Sequence, residues 1–359
     1  MREAVTLRSA DETKNVQELL ELRFILAGIF SDAMRFGEAR AVYEEILTKR
    51  NITTAPISTP EDRRLASFVF PRIIDLERQA NRGTEARAAV ERLRLLLGAD
   101  DPTADIQLIA LLREEGKRQE AIAAARAARV RYPNQEQLQR LEAAALADAG
   151  QIEEAVAILR RRLNNSPTDY EEYLYIANTY LQAGRGKEAV EAALKAVELA
   201  PAERPELVSQ ARVLLSSAQD RAGDFKGSEA SLRAVLKAEP NNATALNNLG
   251  YFLVERNERL DEALELIQRA VRAEPFNSSF LDSLGWVYFK LNRLQEAERY
   301  LSEAARRNAS SATVQEHLGD VYQRLGRKNE SRAAWQKALT LSIEADETMR
   351  LKSKINESK

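Results

Sequence analysis

The heptapeptide LGWVYFK at residues 284–290 has two counterparts in the same chain, LGYFLVE at 249–255 and LGDVYQR at 318–324. Their glycines, Gly250, Gly285 and Gly319, lie 35 and 34 residues apart. The surrounding residues are typical of a helix, in which a glycine costs about 1 kcal/mol relative to alanine. A glycine that recurs at one period therefore indicates a repeated architecture in which this helix position must be small.

A second small residue follows each of these glycines at a nearly constant distance. Ala263, Ala297 and Ser331 stand 13, 12 and 12 positions after Gly250, Gly285 and Gly319. The same two positions recur upstream, which gives nine units in all. The upstream pairs are Ala27 with Ala39, Ile74 with Ala86, Ile109 with Ala121, Ala143 with Ala155, Ala177 with Ala189 and Ser216 with Ser228.

Prolines and glycines divide each unit into two helices. Proline cannot stand inside a helix without the loss of a hydrogen bond, so a proline at a regular interval marks the end of a unit. Glycine accepts the left-handed backbone of a helix C-cap and suits the turn between two helices of one unit. The closing prolines are Pro133, Pro167, Pro201, Pro240 and Pro275, and the turn glycines are Gly116, Gly150 and Gly184.

This pattern resembles the tetratricopeptide repeat, a 34-residue helix-turn-helix unit with small residues at two helix contacts and a proline near its end. The resemblance implies an all-α fold, a right-handed superhelical solenoid of about nine antiparallel helix pairs. Residues 1–100, where one spacing stretches to 47 residues, are expected to form degenerate pairs. Residues 101–341 are expected to form the regular array, and 342–359 a C-terminal capping helix and tail, since the ends of such arrays need polar caps.

Residues 245–341 also resemble the C-terminal repeats of bacterial tetratricopeptide lipoproteins. One of these lipoproteins is an adaptor that presents substrates to a carboxyl-terminal processing protease and is tethered by a lipidated cysteine. This chain has no cysteine. The resemblance nevertheless implies an envelope adaptor as an alternative function.

The composition narrows the class of partner. Charged residues make up 30% of the chain, yet the net charge is only −2, which argues against nucleic acid as the partner. A nucleic-acid-binding solenoid that uses Arg160–Arg162, Arg306 and Arg307 is the least favoured alternative. The sequence has no apolar run long enough to span a membrane. It predicts a soluble protein, cytoplasmic or, if a leader or lipid anchor has been removed, periplasmic, and it leaves the oligomeric state open.

The residues needed for common catalytic and metal sites are missing from the sequence. Without cysteine there is no thiolate ligand or nucleophile, and His317 is the single histidine. A satisfied or solvated imidazole is the favoured interpretation of His317. The segment GRGKEA at 184–189 is similar to part of a phosphate-binding loop. However, Leu181 stands where such a loop needs its first glycine, and Glu188 stands where it needs Ser or Thr. We therefore expect no enzyme activity, no metal and no cofactor.

The helix geometry predicts one partner-binding surface. The unit that begins at Ser278 illustrates this geometry. One stripe of its first helix faces the core and consists of Leu281, Leu284, Gly285 and Tyr288. A second set of positions, the second, fifth, ninth, twelfth and thirteenth of the unit, lies roughly 140° away around the helix. In tetratricopeptide repeats those positions on the first helix of each unit, helix A, line a groove. The predicted groove residues are Asn178, Gln182, Arg221, Asn247, Tyr251, Glu255, Asp282, Trp286, Phe289, Glu316, Asp320 and Arg324.

Trp286 and the polar groove residues have two interpretations each. Trp286 is either a ligand anchor, since Trp is enriched at binding hot spots, or packing between neighbouring repeats. Each polar side chain is either a ligand contact or an ordinary solvated group. A clamp for a C-terminal carboxylate is not supported, because only one of its five groove residues has a match. The sequence thus predicts a non-catalytic interaction scaffold for a peptide or protein.

Overall fold

The computed structural model describes residues 16–53, 56–342 and 345–357. Within these ranges there are nineteen α-helices, one short 3₁₀ helix at Pro167–Asp169 and no strand, so the predicted all-α fold is confirmed. Internal contacts divide the chain into two units, residues 1–165 and 166–359. The predicted changes of organisation at residues 100 and 341 rest on repeat regularity alone and stay predictions.

The first unit holds four consecutive helix pairs. In each pair helix A and the following helix, helix B, are joined by only a few residues and pack against each other, as in an αα-hairpin. The helices are α1 (Val16–Asp32), α2 (Phe36–Lys49), α3 (Pro60–Gln79), α4 (Gly83–Leu97), α5 (Thr103–Glu114), α6 (Arg118–Arg131), α7 (Glu136–Asp148) and α8 (Ile152–Arg160).

The second unit holds five more pairs and a final single helix. Helix A of its last three pairs begins at a side-chain cap, since Asn242, Asn277 and Ser311 each accept a hydrogen bond from a backbone N–H of the first turn. The helices are α9 (Tyr170–Gln182), α10 (Gly186–Leu199), α11 (Pro205–Arg221), α12 (Phe225–Ala238), α13 (Ala243–Glu255), α14 (Leu260–Ala273), α15 (Ser278–Lys290), α16 (Leu294–Arg307), α17 (Ala312–Arg324), α18 (Lys328–Leu341) and α19 (Ala345–Glu357).

The paired positions found by spacing are all buried in the structure. This holds for the glycine, alanine, serine and isoleucine members in all nine pairs, including the two pairs of residues 16–97. The burial of every member supports the nine-unit register read from the sequence.

Glycine occupies helix A of the last three pairs because helix B comes too close for a side chain. A Cβ on Gly285 would lie 2.6 Å from Leu301 Cγ and 3.2 Å from the Ala297 carbonyl oxygen. A Cβ on Gly250 would lie 2.5 Å from Ile267 Cγ1, and one on Gly319 would overlap the Trp335 indole. The close packing so gained compensates for the poor helix propensity of glycine.

The turn residues also take their predicted backbone. Gly116, Gly150 and Gly184 have φ of +69°, +78° and +72° between helix A and helix B of their pairs. The closing prolines lie between helix B of one pair and helix A of the next. Pro71 departs from this pattern because it lies inside α3, where its missing N–H cannot bond to the Ser67 carbonyl.

The predicted C-terminal segment contains α19, which packs on α18. Leu351 of α19 is fully buried in a cluster with Trp335 and Ala338 of α18. The helix therefore covers the apolar face that the last pair would otherwise expose. Residues 358–359 of the predicted tail lie outside the described residues.

Candidate functional site

The predicted groove residues of the second unit fall into two stretches. On α9 and α11 they are exposed. On α15 and α17 Asp282, Trp286 and Glu316 are buried, Phe289 and Asp320 are half-buried, and Arg324 is exposed. We call the first set the open stretch and the second the closed stretch. The open stretch contains Asn178, Gln182 and Arg221, and the closed stretch contains Asp282, Trp286, Phe289, Glu316, Asp320 and Arg324, with Asn247, Tyr251 and Glu255 of α13 between them.

A small cleft lies in the open stretch, where three successive helices A come together. Its volume is about 350 Å³, and α9, α11 and α13 all contribute to it. Four of its lining residues are polar and two are apolar. The lining residues are Leu181, Gln182, Ser217, Asp220, Arg221 and Phe252.

Neighbouring groups position the side chains of this cleft. Arg256 donates to Asp220 at 3.0 Å and lies over the Phe252 ring. Burial raises the pKa of Asp220 above its usual range although the Arg256 charge opposes this effect. The Arg221 guanidinium lies against Gly184, where a Cβ would stand 3.0 Å from Nη2. The cleft is thus held in shape by the chain itself.

Arg221, Asn178 and Gln182 carry the polar groups of the open stretch. Neither a hydrogen bond nor an ion pair joins these three side chains to any other residue that the structure describes. All three are exposed. Their donors and acceptors are therefore available to a ligand, with only water to displace.

The closed stretch is organised around Trp286, whose side chain is only 8% exposed. Its indole stacks on His317 of the next helix A at 3.9 Å between ring centroids and on Phe289 at 4.8 Å. Its Nε1 donates to Glu255 Oε1 of the preceding helix A at 2.6 Å, and Lys290 lies 4.9 Å from the ring centroid. Trp286 thus joins three successive repeats, which is the packing interpretation; a partner contact for it stays a prediction.

His317 is buried in the same interface and is not solvated. Its Nδ1 lies 3.0 Å from Asp282 Oδ1. Burial acts to lower the pKa of His317, but the Asp282 carboxylate outweighs it and leaves this pKa above its usual value. Asp282, a predicted groove residue, is itself buried. The two side chains therefore form an internal polar pair between α15 and α17.

Two bases of α19 neutralise the acids of α17. Arg350 donates to both carboxylate oxygens of Glu316 at 2.8 Å, and Lys354 donates to Glu316 and Asp320 at 2.7 Å. Trp335 Nε1 also donates to Asp320 at 2.9 Å. Burial acts to raise the pKa of Glu316, yet the hydrogen bonds from Arg350 and Lys354 lower it to about 2. These acids of the predicted groove are thus occupied by the chain's own C-terminal helix.

Tyr251 and Arg324 lie at the margins of the closed stretch. Tyr251 is half-buried, and its burial together with the charges of Glu255 and Asp282 raises its pKa. Arg324 is exposed and lies over the Phe289 ring at 5.2 Å. Asn247 is buried on α13. Of these three, only Arg324 is exposed.

Several of the residues that shape this face lie outside the sequence prediction. Arg350 and Lys354 were not among its candidates, although their i, i+4 spacing places them on one side of a helix. Applying the groove register to the first two pairs would also have selected Phe24 and Phe68, which contact each other edge to face at 5.1 Å. The prediction read that register only in the later units.

The described residues contain neither a transmembrane helix nor a metal cluster. No helix among them is long and apolar enough to cross a membrane. Nowhere in the same ranges do three or more His, Asp or Glu side chains gather in a geometry that could hold a metal ion.

Comparison with known families identifies the repeat. Tetratricopeptide-repeat models match residues 173–203, 213–278 and 283–346, all in the second unit. A TPR repeat-containing protein of Pseudomonas aeruginosa is 34% identical over 149 residues, which are 42% of this chain and 25% of that protein. The chain thus spans a quarter of the length of this relative. The resemblance to protease adaptors stays a prediction.

Solved structures show the same fold. A tetratricopeptide repeat protein from Parabacteroides merdae matches with a TM-score of 0.52 at 14% identity, covering 73% of this chain and 99% of that one. The Cut9–Hcn1 hetero-tetramer of the APC/C contains a chain that matches with a TM-score of 0.51 at 13% identity, covering 99% of this chain and 80% of that one. These matches show a fold of the tetratricopeptide-repeat type, and the family models identify tetratricopeptide repeats at residues 173–203, 213–278 and 283–346.

Proposed function

We propose that this protein is a non-catalytic interaction scaffold that binds a peptide or a partner protein on the helix A face of its second unit. The observation that carries the proposal is the open stretch. Three successive repeats build one cleft there, and Gln182 and Arg221 present unpartnered polar groups beside it. A surface assembled from several repeats can contact an extended or helical segment at several points.

The closed stretch gives this surface a fixed support. Trp286, His317 and Asp282 bind α13, α15 and α17 to one another, and their buried contacts leave little for a ligand to use. These contacts support a centre of partner binding at residues 178–221, upstream of Trp286. In this account Trp286 acts indirectly, because it keeps the adjoining repeats in register.

The open stretch favours a polar partner segment with one or two apolar side chains. Arg221 can bond a carboxylate or a carbonyl, and the amides of Asn178 and Gln182 can pair with a peptide backbone or with polar side chains. Leu181 and Phe252 supply the apolar part of the cleft.

Photo-crosslinking tests this assignment. A crosslinking amino acid is placed at Gln182 in the open stretch or at Gln336, an exposed position on α18. A partner that binds the open stretch is expected to crosslink from position 182 and not from 336. Substitution of Arg221 by alanine should reduce the yield at 182. Equal yields from both positions, or a yield unaffected by Arg221→Ala, would contradict the proposal.

A further inference from the structure

The helix α19 is held on the array by one of its sides. The residues that hold it lie at positions i, i+1, i+4 and i+5, which share one side of a helix, and are Arg350, Leu351, Lys354 and Ile355. Of the described side chains of α19, only Leu351 is buried, whereas α15 buries nine. This helix therefore has much less packing than a helix inside the array.

The surface under α19 combines two acids with an apolar wall. Glu316 and Asp320 lie about one turn apart on α17, and their side chains are only 5% and 16% exposed. Trp335, Ala338 and Leu339 of α18 form the apolar part. Without α19, the two carboxylates would lose the cations that neutralise them. The surface thus selects an occupant that is cationic and partly apolar, and it disfavours the phosphates of a nucleic acid.

The contacts of α19 show which features this surface recognises. Arg350 donates to both carboxylate oxygens of Glu316 at 2.8 Å. Lys354 Nζ lies 2.7 Å from both Glu316 and Asp320. Leu351 fills the apolar part beside these two bases. The recognised pattern is therefore a base, a large aliphatic residue directly after it, and a second base one turn after the first.

We propose that this surface, formed by Glu316, Asp320, Trp335 and Ala338, is a docking site for a basic amphipathic helix of a partner protein. In this account α19 is an internal ligand of the site, and the partner helix displaces it. The partner helix carries Arg or Lys at two positions four residues apart and a large aliphatic residue next to the first. The site lies on α17 and α18 and does not depend on the proposed function at residues 178–221.

The rest of the array keeps its packing when α19 leaves. Each element of a repeat array is stabilised by its neighbours, and α19 packs mainly on one helix, α18. Helices α17 and α18 meet through Gly319 and Trp335, a contact that does not involve α19. Elements with few buried contacts open at a lower free energy than the whole fold. Displacement of α19 therefore requires a local opening only.

Fluorescence anisotropy with the full chain tests the proposal. The probe is a labelled peptide, capped at both ends, with the sequence of residues 345–357. It carries three acids and three bases, so no net charge attracts it non-specifically. The released variant is Arg350→Glu with Lys354→Glu, in which Glu316 and Asp320 repel the chain's own α19. The matched control is Lys226→Glu with Lys237→Glu on α12, since both are exposed helix lysines.

The released variant is expected to bind the peptide at least tenfold more tightly than the original protein, because its own helix no longer competes. Addition of Glu316→Gln with Asp320→Asn should abolish this gain, and a peptide with serine in place of Leu351 should bind severalfold more weakly. The control should bind like the original protein. No gain in the released variant, or a gain that survives Glu316→Gln with Asp320→Asn, would overturn the proposal.

Hydrogen exchange of the original protein supplies a test that does not depend on the stability of a variant. Amides of α19 should exchange at least tenfold faster than those of α18, because α19 opens by itself. In the released variant, α18 should keep its protection. Equal protection of the two helices, or loss of protection in α18 when α19 is released, would identify α19 as a permanent part of the fold and overturn the proposal.

Discussion

At α9 and α11 the predicted groove positions carry Asn178, Gln182 and Arg221, all exposed, whereas at α15 and α17 they carry Asp282, Trp286 and Glu316, all buried. The two stretches share one helix register and one unit. They differ in what the next helix presents. His317 and α19 cover the later positions, whereas the side chains at the earlier positions are exposed. A repeat register therefore identifies a face, and the neighbouring repeat decides whether that face is free.

The largest expected loss of stability tests the claim that the closed stretch is a packed interface. Trp286→Ala removes a buried indole and its hydrogen bond to Glu255, which should destabilise the closed stretch by about 3–5 kcal/mol. Gln182→Ala should change stability by less than about 0.5 kcal/mol because its side chain is exposed. Hydrogen exchange of the amides in α15 and α17 measures the first effect, and a loss below about 1 kcal/mol would contradict the packing role of Trp286.

The second prediction concerns the cover provided by α19. The double substitution Arg350→Ala and Lys354→Ala leaves Glu316 buried without its cations and should lower the free energy of unfolding by about 2 kcal/mol. This loss is smaller than for a fully buried ion pair because the Arg350 side chain is half exposed. Intrinsic fluorescence during urea unfolding reports this change, since Trp286 and Trp335 are the chain's two tryptophans. Addition of Glu316→Gln should recover part of the loss. No recovery would show that the ion pairs contribute little.

The third prediction tests the close approach at Gly285. Gly285→Ala should destabilise the pair α15–α16 by about 1–2 kcal/mol, because the clash with Leu301 exceeds the gain of about 1 kcal/mol in helix propensity. Leu301→Ala in the same chain makes room for the new methyl group, so the two substitutions together should cost less than the sum of each alone. A stabilising Gly285→Ala would contradict the packing argument.

These substitutions also indicate how much the sequence could predict. Local contacts within one helix pair determine the repeat period, the small residues at both contact positions and the turn glycines. The sequence therefore placed Gly285 and Ala297 correctly. Burial of Trp286 depends on His317, 31 positions away, and on Glu255 in the preceding repeat. The pairing of Glu316 with Arg350 joins residues 34 positions apart. Spacing alone cannot supply such contacts, because they require the stacking of complete repeats.

The fourth prediction concerns two opposite pH dependences in the closed stretch. The pKa of Glu316 is lowered from 4.5 to about 2, so its stabilisation is full above pH 4.5 and is lost as the pH falls from there toward 2. The pKa of His317 is raised above 6.5, so its stabilisation is full below pH 6.5 and is lost as the pH rises through the folded-state pKa. Tryptophan-monitored melting should show both losses.

Variants separate the two titrations. Glu316→Gln should remove the acid-side loss and keep the loss at higher pH, and His317→Gln should do the reverse. Hydrogen exchange of the amides of α9 and α11 should not respond to either substitution. Identical pH profiles in the two variants and the original protein would contradict the assignment of these groups.

Substitutions in the open stretch are expected to change stability least and partner binding most. Once a crosslinked partner is in hand, hydrogen exchange of the free and bound protein measures directly which face it covers. The account predicts new protection of backbone amides in residues 175–182 and 213–221, with little change in residues 282–290 and 316–324. Protection concentrated in the latter two segments, with none in the former, would contradict the claim that the open stretch binds and the closed stretch supports.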